Sequence, residues 1–168
     1  MKIQSRLVIF CGLLLWLSSV GFLLAKTQNK RSRVYTCSET NPASLCTAAP
    51  RCGSSSEPCV VDLKRKGTSA TVTPNVPNAK SNVPFCVKVG TTVTWQTSRK
   101  DTGFVVDFGP SSPFDTPGAI MGGSDRSISV VAKLPGCYKF SVGACIAGTI
   151  SGMCGSNASE IVISSEDN

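Results

Sequence analysis

"FCVKVGTTVTW", Phe85 to Trp95, is the stretch on which the fold turns. Apolar and polar residues alternate through "FCVKV" (Phe85–Val89), Gly90 interrupts, and "TTVTW" (Thr91–Trp95) takes the alternation up again. Period two marks strands with one buried face, and a glycine between two such runs supplies a turn. Working outward, "SATVT" (Ser69–Thr73) lies upstream with the same pattern. Downstream, "FVVDF" puts Phe104, Val106 and Phe108 on one face. "SISVVAKL" (Ser127–Leu134) then leads through Pro135-Gly136 into "CYKFSV" (Cys137–Val142), and "SEIVIS" (Ser159–Ser164) closes the series. About seven short strands with turn signals between them describe a sandwich or barrel.

No amphipathic helix is legible beyond the leader, so the expected class is all-β, with Trp95, Phe104, Phe108, Tyr138 and Phe140 as core aromatics. "LKRKG" (Leu63–Gly67) reads as a solvated charged turn. "TPNVPNAKSNVP" (Thr73–Pro84) contains Asn-Val-Pro twice, but three shared residues make a loop and not a duplicated module.

The 168-residue chain has room for one ordinary domain and a leader. Lys2 and Arg6 precede the apolar run Leu7–Ala25. A cleaved secretory signal fits it, with Ser19, Gly21 and Ala25 as small residues near a cleavage point. An uncleaved membrane anchor is the second reading, since the run is just long enough to span a bilayer. Lys26, Lys30, Arg31 and Arg33 crowd the far side, so charge does not fix orientation. Either reading exports the remainder to a secreted, periplasmic or other extracytoplasmic location, tethered to the membrane in the second case. The expected organisation is therefore residues 1–25 as leader, 26–58 as a cysteine-rich extension and 59–168 as the main domain.

The formal charge of +7 invites a nucleic-acid reading, and position dissolves it. Six of the 17 Lys and Arg precede Val34, whereas all 10 Asp and Glu follow it, which leaves 11 against 10 and a domain near +1. A basic patch interleaved with aromatics, as single-strand binders use, is not legible.

Of nine cysteines, Cys11 falls in the leader. Cys37, Cys46, Cys52, Cys59, Cys86, Cys137, Cys145 and Cys154 remain, an even set downstream of an export signal, which predicts up to four disulfides. Roughly a hundred pairings are open to eight cysteines, and the sequence does not choose. With no C-x-x-C and no histidine, zinc and haem-attachment patterns are missing. Four of these cysteines crowd the turn-rich stretch before Val60, where cross-links are expected to hold weak local structure to the main domain.

In order, "VKVGTTVTW", "FVVDFGPSSPF", "PGCYKFSV", the loop ending in "GM" and "EIVIS" resemble the cupredoxins, the plastocyanin-like copper proteins, over Ser69–Ser164. The resemblance implies a Greek-key β-sandwich. It also implies a type 1 copper site of two histidines, one cysteine and an axial methionine. Carried across, the first histidine position falls at Phe104, the cysteine at Val142 and the second histidine at Cys145. A shifted register keeps Cys145 as thiolate and Met153 as axial ligand but supplies no imidazole. Copper is therefore not expected as a cofactor. A copper carrier or electron-transfer protein using sulfur from Cys145 and Met153 is the alternative.

Catalytic constellations are also missing from the sequence. Asp101, Asp107, Asp115 and Asp125 are scattered, and "GTISG" (Gly148–Gly152) lacks the order of a nucleophile elbow. S-x-x-K, G-x-G-x-x-G and the P-loop are absent. "NAS" makes Asn157 an N-glycosylation acceptor by pattern. The reading is a non-catalytic binding or structural module for a protein or cell-envelope partner. The loops Gly109–Gly123 and Gly143–Ser156 are the first surfaces to consider, carrying Phe114, Ile120, Met121, Ile146, Ile150 and Met153.

Overall fold

The computed structural model describes residues 34–35, 37–38, 41–48, 51–146 and 154–165. The expected leader, residues 1–25, lies outside them, as do Ile150 and Met153. Ten strands and one short helix are described: β1 (Val34–Tyr35), α1 (Pro42–Ala48), β2 (Cys59–Lys66), β3 (Ser69–Pro74), β4 (Phe85–Lys88), β5 (Thr92–Gln96), β6 (Thr102–Asp107), β7 (Ile120–Gly123), β8 (Ile128–Val131), β9 (Gly136–Ile146) and β10 (Cys154–Ser164). The chain is all-β in character, and its strands run in the order β7-β6-β9-β10-β3-β2-β5-β8. β4 pairs in parallel with the end of β10, and β1 with the start of β9.

The sheet nearly closes around one core. β9 and β10 form its spine, an antiparallel ladder from Cys154↔Cys145 to Ile163↔Gly136. On its far side β10 touches β3 at the single pair Ser156↔Ser69. Alternation aims Val61, Leu63, Val72, Val93, Trp95, Val106, Phe140 and Ile161 inward. At the centre Trp95 meets Phe108, Phe114 and Phe140 edge-on, with centroids 6.3, 6.2 and 5.6 Å away. Such edge-to-face contacts put the positive rim of one ring on the negative face of another. All five aromatics expected in the core are buried.

The alternate residues Cys86, Cys137 and Val162 point outward, yet they too are buried. They form a second, small cluster with Cys46, against which Cys37 and Leu45 pack. Cys46–Cys86 and Cys37–Cys137 fasten the extension there, while Cys52–Cys59 and Cys145–Cys154 close short loops. All eight expected cysteines are thus paired.

Three elements depart from the sequence reading. The first is α1, where no helix was expected. Pro42 has its backbone angle preset for a first turn, and the Asn41 carboxamide oxygen accepts the Ser44 N–H at 3.3 Å as a cap. Seven residues make under two turns, too few to show a periodic apolar stripe. The second is "LKRKG", which is mostly strand. Leu63 is buried, and β2 stays paired through Lys66↔Ser69, so the turn shrinks to Gly67-Thr68. The third is strand inside both expected loops: β7 occupies part of Gly109–Gly123 and pairs with β6, and β9 and β10 take residues 143–146 and 154–156 of Gly143–Ser156.

Candidate functional site

The positions that the resemblance would give to copper gather at one end of β6, β9 and β10. Phe104 pairs with Ala144, Gly103 with Cys145, and Cys145 with Cys154 across β10. Each is filled by something other than a ligand. Phe104 is buried, its ring pressed on Gly122 so closely that a Cβ there would stand 2.5 Å from Cζ. Val142 is buried in the same core, opposite Val106. Cys145 is bonded to Cys154, and a disulfide sulfur has no thiolate to offer an ion. Met153, the other half of the copper alternative, lies outside the described residues. Among the described residues no group of three or more His, Cys, Asp or Glu is placed to hold a metal.

The scattered aspartates bond to backbone N–H groups or to neighbouring hydroxyls. Asp107 accepts the Gly109 N–H at 2.8 Å, and Asp115 accepts the Val131 N–H at 3.0 Å. Asp101 and Asp125 accept from the hydroxyls of Thr102 and Ser124. Burial pushes the Tyr138 phenol above its ordinary value of 10.0, and its hydroxyl donates to the Leu134 carbonyl at 3.2 Å.

The two loops named from sequence divide between core and surface. Phe114 and Ile120 are buried anchors, and Phe114 lies 5.3 Å from Phe108. Met121 is 66% exposed on β7. Asn157 stands inside β10 and not in a loop; its side chain accepts the Ala158 N–H and donates to the Ala70 carbonyl.

The two Asn-Val-Pro triplets, read from sequence only as a loop, have a role in the structure. Asn75 exchanges two hydrogen bonds with Val60, N–H to carbonyl at 2.8 Å and carboxamide oxygen to N–H at 2.8 Å. Asn82 does the same with Val72, at 2.8 and 2.9 Å. Each side chain thereby imitates a strand partner, a habit of asparagine in turns. Between the clamps Val76, Pro77, Val83 and Pro84 line an apolar recess of about 180 Å3 with Lys80 also on its wall. The repeat itself was the signal that could have found it.

Compared with protein-family models and with curated proteins, the chain matches none. The functional reading rests on its own residues.

Proposed function

We propose that the chain is an exported, cupredoxin-like Greek-key sandwich without a copper site, acting as a non-catalytic binding or structural module for a protein or other cell-envelope partner. Strand order supports the fold. β7-β6-β9-β10 and β3-β2-β5-β8 make two four-stranded sets that meet at one residue pair, with β1 and β4 added to the first, and the chain changes set between β1 and β2, β3 and β4, β4 and β5, β5 and β6, β7 and β8, and β8 and β9. Interleaving of that kind belongs to two packed sheets. The Tyr138 hydroxyl reaching back to the backbone four residues earlier is a tyrosine corner, a device of Greek-key sandwiches.

The observation that carries the function is the filled ligand positions: Phe104 and Val142 pack the core, and Cys145 is in a bridge. Removing imidazole while keeping the scaffold leaves rigid sheets and end loops, the parts that recognition uses. Four disulfides are consistent with an oxidising compartment outside the cytosol.

Copper titration of the purified protein, with a thiol count under denaturing conditions, tests the reading. The expected result is no bound copper and no thiol from the eight downstream cysteines. One copper per chain together with a titratable Cys145 would favour the carrier instead.

A further inference from the structure

Thiol–disulfide exchange requires a thiolate to reach a sulfur in line with the bond it breaks, so access decides which bridge reacts. Three of the four bridges deny that access. Cys52 and Cys59 are both 0% exposed, Cys46 and Cys86 are 5% and 0% exposed, and Cys137 is 0% exposed beside a half-buried Cys37. Cys145–Cys154 differs: Cys154 is exposed, Cys145 is half-buried, and the bridge stands at the outer end of the β9–β10 ladder.

We infer that Cys145–Cys154 is a thiol–disulfide exchange site, and that its reactant is a small or peptide thiol attacking Cys154. The thiolate attacks the Cys154 Sγ and forms a mixed disulfide; the Cys145–Cys154 bond breaks, and its electron pair leaves on Cys145, which takes up a proton. A second thiolate then attacks the incoming thiol's sulfur. This frees Cys154 as a thiol and releases the two reactant molecules as their disulfide. Two thiols are oxidised for one bridge reduced.

The ladder makes this reaction local. Beyond Cys145↔Cys154, pairing continues from Gly155↔Ala144 to Ile163↔Gly136, so the opened half-cystines stay in register and opposite each other. The three buried bridges keep the extension and the core joined meanwhile. The inference does not depend on whether the protein takes copper, because the bridge would have to open before either sulfur could serve an ion.

The test is stepwise reduction of the full chain by glutathione without denaturant, acid quenching, alkylation and peptide mass spectrometry. Cys11, which lies outside the four bridges, is scored separately. Cys145 and Cys154 should become labelled at a glutathione concentration at least about tenfold below that needed for the other six, as expected when access governs the rate. The transient glutathione adduct should sit on Cys154, and the far-UV signal of the sheet should persist. Labelling of any other bridge first, an adduct on Cys145, or loss of the sheet signal together with opening would overturn the inference. The pair Cys145→Ser and Cys154→Ser should keep the sheet signal and abolish the early adduct; an early adduct elsewhere in that variant would count against the site.

Discussion

Asn82 grips Val72 twice, donating its backbone N–H to the Val72 carbonyl at 2.8 Å and accepting the Val72 N–H on its carboxamide oxygen at 2.9 Å. Its φ of 62° lies in the left-handed region, which asparagine tolerates better than alanine. Asn82→Ala should therefore lower stability by about 1–3 kcal/mol, through a stranded N–H and a strained backbone together. Asn82→Asp keeps the acceptor and should lose less than half as much. Urea midpoints of the two variants measure this, and equal losses would refute the acceptor's role.

Gly155 marks where the two four-stranded sets meet. A Cβ at this position would collide with the Ser69 carbonyl, which is backbone and cannot step aside. Gly155→Ala should cost about 2 kcal/mol or more by overpacking, whereas Ser156→Ala, at an exposed neighbour, should stay within about 0.5 kcal/mol. Thermal unfolding of both variants decides it; an unchanged midpoint for Gly155→Ala would mean that the strands separate freely there.

Tyr138 links stability to alkaline pH. Burial raises the phenol above 10.0 in the folded chain. The proton is then held more tightly folded than unfolded, so the contribution is whole below pH 10 and disappears as pH climbs through the folded value. Tyr138→Phe should cost about 1 kcal/mol at neutral pH, from the hydroxyl's bond to Leu134. It should also flatten the alkaline fall in stability. A denaturation series across that range, run on both proteins, would show parallel curves if the phenol were irrelevant.

The bridges should rank by the length of chain they close. Cys37–Cys137 spans 100 residues and Cys46–Cys86 spans 40, against 9 for Cys145–Cys154 and 7 for Cys52–Cys59. Constraint of the unfolded chain gives roughly 4–5 kcal/mol for the first pair and roughly 2–3 for the two short ones. Paired alanine substitutions measured by denaturant unfolding check the order. A short-loop pair costing as much as Cys37–Cys137 would contradict it.

Phe114 and Met121 test whether the loop after β6 is anchored. Phe114→Ala opens the Trp95 cluster and should cost about 3–4 kcal/mol. Met121→Ala, at 66% exposure, should stay within about 0.5 kcal/mol. Similar losses at the two positions would mean that Phe114 is not a core residue.

What was legible in the sequence was whatever alternation writes down. Val87, Val93, Trp95, Phe104, Val106 and Phe140 each declared an inward face, and each is buried. The rest depended on partners distant in the chain. β2 was hidden because Lys64–Lys66 looks like a solvated turn unless β3 is known to pair with it. α1 was hidden because Cys46 is drawn inward by a bond to Cys86, not by an apolar stripe. At the candidate site the lack of imidazole was plain from composition. The filling of Phe104's position by contact with Gly122 needed coordinates, since the two lie on strands joined by a long loop.

The pairing pattern has a consequence for how the molecule matures. Cys37, Cys46, Cys52 and Cys59 are synthesised, and cross any export channel, ahead of Cys86 and Cys137. Two of those four must wait for mates that arrive 40 and 100 residues later. Oxidation that runs ahead of synthesis would offer Cys37 and Cys46 only one another, Cys52 or Cys59, before either proper mate exists. Productive oxidative folding of this chain therefore calls for an isomerase, or for an oxidant slow enough to let the last strands emerge.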